Sequence, residues 1–196
     1  MALQRHPDSG GSFGRCGQII SIEEFVIQLM KNIFLIGLPS SGKSTLGKKL
    51  ARILDYRFVD MDKLIEKDQH MTIHEIFTQK GEPYFREVES RILKNTIENR
   101  RVVIATGGGA PCFFDNMDFI KKNGISIFLD VHHVELAKRI QNHGKDDRPL
   151  LSGAASLEKE LEQKYQQRLP YYSQADYTIS GDSEASQLAA IVRPLL

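Results

Sequence analysis

A chain of 196 residues that is 41% hydrophobic and 26% charged is long enough to bury one core, and its composition is not that of a disordered or fibrous protein. Its 26 Lys and Arg against 25 Asp and Glu leave a net charge of +1, so no overall field marks it for nucleic acid or an acidic membrane. Two distant cysteines, Cys16 and Cys112, are too few for a disulfide framework or metal cluster and suit idle thiols in a reducing cytoplasm. No apolar stretch approaches the roughly 20 residues that cross a bilayer.

The first 18 residues, MALQRHPDSGGSFGRCGQ, are rich in Gly, Ser and Arg, lack periodicity, and lack the apolar core of a secretory signal. IISIEEFVIQL follows, a strand or a short helix. Two readings stay open for residues 1–29: an extension ahead of a natural start at Met30, or an ordered helix packed on the domain. The domain itself is expected to span 30–196.

NIFLIG (32–37), a short apolar run ending in glycine, predicts a buried strand. GKSTLGKKLARIL (42–54) has apolar spacing near 3.6 and predicts a helix, and RFVD (57–60) a short strand. DKLIEKD and TIHEIFTQKG (72–81) predict short helices, the second opening on a capping box of Thr72 and Glu75. EPYFREVESRILKNTIEN (82–99) predicts a long amphipathic helix with Pro83 in its first turn. RVVIAT (101–106) reads as a third strand, FFDNMDFIKKNG (113–124) as a helix closed by Gly124, and ISIFLD (125–130) as a fourth strand. HVELAKRIQN (133–142) predicts a helix. HGKDDRPLLSGAA (143–155), aperiodic and polar, predicts a mobile lid. SLEKELEQKYQQRLPYYSQA (156–175) is helical at least to Leu169, YTIS (177–180) is a fifth strand, and SEASQLAAIVRPL is a last helix.

Strands alternating with helices imply parallel β-α-β units, and nearly continuous apolar strands imply a sheet covered on both faces. Ligands in such sheets bind beyond the carboxyl ends of the strands. The positions to watch are therefore Gly37, Asp60, Gly107 and Asp130.

GLPSSGKS (37–44) fits the phosphate-loop pattern G-x-x-x-x-G-K-[ST] between a predicted strand and a predicted helix. Gly37 and Gly42 let the backbone curl so that successive N–H groups face an anion. The helix N-terminus adds about half a positive charge. Lys43 reaches the outer phosphates, and the Ser44 hydroxyl is placed to ligate Mg²⁺. This motif points to a nucleoside triphosphate without naming an acceptor.

Four further features bear on the acceptor. FVDMD places Asp60 and Asp62 at the end of the second strand, where positions i and i+2 share a face. One carboxylate could hold water around Mg²⁺ and the other accept a proton from a hydroxyl. The alternative is that they cap the following helix. Arg86 either forks onto a substrate carboxylate or pairs with Glu82 or Glu89 on a solvated helix face. Arg168 divides in the same way between anion ligand and surface charge. Arg148, in the expected lid, is either an ordinary exposed arginine or one delivered to a transferring phosphate.

The ordered set GLPSSGKST, FVDMD, IFTQKGEPYFREVE, VVIATGGGAP, RPLL and RLPYY resembles shikimate kinase from about Lys31 to the C-terminus. The resemblance implies a five-stranded parallel sheet flanked by helices, like nucleoside monophosphate kinases. It also implies transfer of phosphate from ATP, with Mg²⁺, to the 3-hydroxyl of shikimate on the route to chorismate. By that match Gly37, Ser40, Ser41, Gly42, Lys43, Ser44 and Thr45 hold ATP, Ser44 ligates the metal, and Asp60 supports it through water. Asp62 binds shikimate hydroxyls and acts as base, with Lys43 and Arg148 offsetting charge. Arg86 and Arg168 grip the carboxylate. Gly107, Gly108 and Gly109 line the shikimate pocket, Gly108 donating its N–H, so a bulky side chain there should weaken shikimate before ATP. Many relatives carry another arginine about two helical turns before the lid arginine, where this chain has Gln141 and, shifted, Lys145. A monomer in the cytoplasm, without nucleic acid or membrane partner, is expected. A gluconate or nucleotide kinase fits FRxxE and the triple glycine less well, and no N-K-x-D stretch supports a GTP switch.

Overall fold

The computed structural model describes residues 31–96, 101–143, 157–181 and 183–196. Five strands, β1 (Asn32–Ile36), β2 (Arg57–Asp60), β3 (Val102–Ala105), β4 (Gly124–Asp130) and β5 (Tyr177–Ser180), form one parallel sheet in the order β2-β3-β1-β4-β5. The helices are α1 (Lys43–Leu54), α2 (Met61–Gln69), α3 (Ile73–Asn95), α4 (Asn116–Asn123), α5 (His133–His143), α6 (Leu157–Tyr172) and α7 (Ala185–Val192). The expected extension 1–29, most of the expected lid, Lys145 and Arg148 lie outside the described residues.

The alternation of side chains along each strand sorts the core into two layers. Ile33, Leu35, Val103, Ile125, Ile127 and Leu129 pack with Leu50 and Ala51 of α1 and with Leu188, Ala189 and Val192 of α7. Phe34, Ile36, Val102, Ile104 and Phe128 pack on the other face against α2 to α6. The crossover from β1 to β2 runs one way across the sheet and the later ones run the other way. They lie on opposite faces, as right-handed connections require. The loops after β1 and β3 therefore leave neighbouring strands toward opposite faces, which opens a crevice between their carboxyl ends.

Thr72 and Glu75 form the expected capping box. The expected helices on either side of Gly81 join as α3, with a kink where Gly81 adopts φ 82° and ψ 169°. Gly124 closes α4 as its C-cap residue, as expected. It is extended (φ −179°) and begins β4. A Cβ there would lie 2.4 Å from the Asn32 carbonyl oxygen of β1, so close strand packing selects glycine. Helix α6 runs past Pro170 to Tyr172, whose ring is fully buried 4.9 Å from that of Phe128.

Candidate active site

The crevice widens into an open cleft of about 1630 Å³ lined by the phosphate loop, Asp60, Asp62, Arg86, Glu89, the triple glycine and Arg168. At one end the chain turns sharply after β1. Gly37 has φ 140° and Gly42, the cap of α1, has φ 97°, both accessible to glycine at low cost. The Lys43 ammonium is buried inside the loop, donating to the carbonyls of Gly37 (2.9 Å) and Leu38 (2.7 Å) and to Ser41 Oγ (3.3 Å). Ser44 Oγ donates to Asp60 Oδ2 at 2.6 Å. A hydroxyl and a carboxylate joined at a helix N-terminus form a hard-oxygen set that suits Mg²⁺ completed by water and phosphate.

Asp60 also caps α2, its Oδ1 accepting from the Asp62 N–H at 3.2 Å. Asp62 thus stands in the first turn of a helix. The shared strand face expected for Asp60 and Asp62 is replaced by a strand-to-helix corner, because the chain turns at Asp60. Capping and cleft placement coexist, since both aspartates line the cleft.

Beyond β3, Thr106 ties the strand end to β1 through its N–H and its hydroxyl, both donating to the Leu35 carbonyl at 3.1 Å. None of the three glycines that follow has a positive φ. Their requirement is close approach, and each meets a different neighbour. A Cβ on Gly107 would lie 2.2 Å from Glu89 Oε1 and 3.4 Å from Asp62 Oδ1. On Gly108 it would lie 2.8 Å from Pro39 Cδ and 3.2 Å from Arg168 Nη1, and on Gly109 it would lie 2.7 Å from both terminal nitrogens of Arg86. The loop is held from behind: the Tyr172 hydroxyl donates to the Gly108 carbonyl, and Asn116 Nδ2 donates to the Ala110 carbonyl at 2.8 Å. Asn116 in turn accepts from Ser90 at 2.7 Å.

Arg86 makes both ion pairs that the spacing offered. Nε (3.1 Å) and Nη2 (2.8 Å) donate to Glu82 Oε1, and Nη1 donates to Glu89 Oε2 (2.6 Å). The helix face is not solvated, however: Arg86 is 4% exposed and its guanidinium lies 4.3 Å over the Phe113 ring. Glu89 is fully buried, and burial, only partly offset by Arg86, pushes its carboxyl up to about 7. Burial also pushes the Cys112 thiol up to about 11, so it stays protonated and unreactive at neutral pH. Cys16 lies outside the described residues.

Three cleft residues escaped the sequence reading. Glu89 was visible only as a partner of Arg86. Arg139 of α5 lies in the cleft with Nη1 3.9 Å from where a Gly42 Cβ would stand, while Gln141 is exposed. Arg139 stands two residues before Gln141 on the same helix. Lys164, one turn before Arg168 on α6, also lines the cleft, a placement that i,i+4 spacing could have revealed. Asp130 does not line it. Its Oδ1 accepts from the Tyr165 hydroxyl at 3.2 Å and its carbonyl from the Gly181 N–H at 3.0 Å, closing the end of β4 on β5.

The arrangement holds an anion nest with a metal-suited oxygen pair at one end, and a carboxylate beside two guanidinium groups at the other. Among known proteins, the family model described as shikimate kinase matches residues 39–195. A shikimate kinase from Bacteroides thetaiotaomicron is 44% identical over 155 residues, covering 78% of this chain and 88% of that protein. The crystal structure of shikimate kinase from Bacteroides thetaiotaomicron superposes with a TM-score of 0.77 at 40% identity, covering 85% of this chain and 98% of that one. Shikimate kinase from Acinetobacter baumannii in complex with shikimate gives 0.78 at 33% identity, covering 87% and 95%. With the family model covering most of the chain, the cleft and its sheet are those of a known enzyme family: this chain belongs to the shikimate kinase family.

Proposed function

We propose that the two ends of the cleft divide one reaction, the phosphate-loop end holding ATP and the triple-glycine end holding shikimate. The chain phosphorylates the 3-hydroxyl of shikimate with ATP as donor, a step toward chorismate and the aromatic amino acids. The observation that carries the division of roles is Gly108, set between Pro39 of the phosphate loop and Arg168, with Asp62 beside Gly107 and Arg86 beside Gly109. Donor and acceptor sites share this wall.

In this reading the N–H groups from Ser40 to Thr45 bind phosphate oxygens, and Lys43 exchanges its loop carbonyls for the outer phosphates. Ser44 directly, and Asp60 through water, would hold Mg²⁺. When bound, the ion supplies charge neutralisation on the phosphates. Arg86 and Arg168 fork onto the shikimate carboxylate and fix the ring, so that one hydroxyl faces the γ-phosphate in line. Asp62 accepts that hydroxyl's proton as the oxygen attacks. Arg139 is placed to contact the nucleotide phosphates near Gly42, and Arg148 of the 143–155 lid is assigned to the same charge. Residues 30–196 act as one domain, as a monomer in the cytoplasm, without nucleic acid or membrane partner. Among the described residues no helix is long and apolar enough to cross a membrane.

The test is Asp62→Asn. It should lower turnover by at least about 10²-fold, the usual scale of a lost general base, and leave ATP affinity unchanged. Coupled ADP release with shikimate, gluconate and nucleoside monophosphates in parallel should respond to shikimate alone. Near-normal turnover of the variant would refute the base assignment.

A further inference from the structure

Among the described residues, Glu89 Oε1 is the only buried side-chain oxygen or nitrogen without a hydrogen-bond partner. The other oxygen of that carboxyl holds Arg86 Nη1 at 2.6 Å. Oε1 faces the triple-glycine loop: it and Asp62 Oδ1 flank the same point above Gly107. The side chain is 1% exposed, so water cannot screen it. A buried carboxylate with one bare oxygen is costly, and a neutral carboxyl in the same place is not.

The charges around this group are unbalanced. On its own helix stand Arg86 and Glu82, and Arg86 divides its N–H groups between Glu82 and Glu89. Asp62 faces it from α2, and Arg168 from α6. Cys112 and Tyr172 also face it, and burial holds both in their neutral forms at neutral pH. Asn116 of α4, which meets α3 through Ser90, is uncharged. Among the described residues named here, two guanidinium groups thus stand with three carboxylates, and a substrate carboxylate on the same arginines makes a fourth.

We infer that Glu89 takes up a proton when the substrate carboxylate seats on Arg86 and Arg168, making Glu89 a positioning residue that sets the charge balance of the acceptor clamp. The inference rests on the reading of those arginines as the carboxylate grip. Asp62 lies in the first turn of α2, and a helix N-terminus favours an anion. The proton on Glu89 frees Arg86 to turn from an internal partner to the substrate without leaving a buried charge behind. With the ligand-free carboxyl near 7, the sign is fixed. An incoming anion raises that value further. Affinity is then constant below about pH 7 and falls by up to about tenfold per pH unit above it, until the bound-state value is passed.

Calorimetry of shikimate binding at pH 7.5, in phosphate and in Tris, tests this on the wild-type protein. The substrate's own carboxylate is ionised throughout, so any proton is taken up by the protein. Binding heats that differ between the buffers in the sense of uptake, and a dissociation constant that rises above pH 7, are expected. Glu89→Gln, a permanently neutral mimic, should bind with equal heats in both buffers and a flat dissociation constant from pH 6 to 9. The methyl ester of shikimate should bind wild-type protein without uptake. Equal wild-type heats in the two buffers would overturn the inference, as would uptake that persists in Glu89→Gln. If that variant does not fold, the wild-type two-buffer comparison decides alone. Failure of wild-type protein to bind shikimate at all would instead overturn the arginine grip.

Discussion

Gly107, Gly108 and Gly109 lack a side chain for three different neighbours, and this separates their mutational effects. Arg86 is pinned on both sides by Glu82 and Glu89, so it cannot yield to a methyl group on Gly109 without losing an ion pair. Gly109→Ala should raise the KM for shikimate by about tenfold, the scale of one charge-assisted hydrogen bond, with the KM for ATP unchanged. Gly108→Ala presses on Pro39 of the phosphate loop as well as on Arg168. It should raise both KM values, in contrast to the sequence expectation that shikimate suffers first. Steady-state kinetics with each substrate varied in turn distinguishes the two patterns. The triple glycine was legible as a place of close approach, but the identity of each neighbour was not, since Pro39, Glu89, Arg86 and Arg168 come from three separate segments.

At the level of elements, Arg86 stands on the arm of α3 that follows the kink at Gly81. Gly81 meets nothing closer than Pro83 Cδ at 3.7 Å, so space does not select glycine there. The backbone does, because φ 82° with ψ 169° is a region nearly closed to other residues. Gly81→Ala should cost about 1–3 kcal/mol, which for a chain of this size lowers Tm by about 2–4 °C per kcal/mol. It should also raise the KM for shikimate, as the arm carrying Arg86 and Glu89 shifts. A thermal melt with no change in midpoint would contradict this. Local chemistry made most elements readable: the Thr72–Glu75 box, Pro83 in a first turn, and apolar strands ending in glycine or aspartate. Where elements run beyond the bounds that local chemistry sets, the causes are tertiary. Gly124 is set by the Asn32 carbonyl across the sheet, and α6 continues past Pro170, ending in the buried Tyr172.

For the whole molecule, the strand order does the assembling. With β1 between β3 and β4, the phosphate loop and the triple glycine leave adjacent strands and meet at Gly108 and Pro39. The sheet and its seven described helices form within residues 31–196 and the family match begins at residue 39. A chain starting at Met30 should therefore keep both its kcat and its melting temperature. Loss of either would assign residues 1–29 a part in the domain. Sequence alone determined the alternation of strands and helices and the phosphate loop, because each depends on consecutive residues or on a period within one element. It also presented the residues that resemble the family's acceptor site. Tertiary structure alone decided that Asp62 sits on a helix turn, that Arg139 and not Gln141 reaches the phosphate loop, and that Glu89 is sealed with one bare oxygen. These depend on which strands are neighbours and which faces are covered, and neither period nor spacing encodes that.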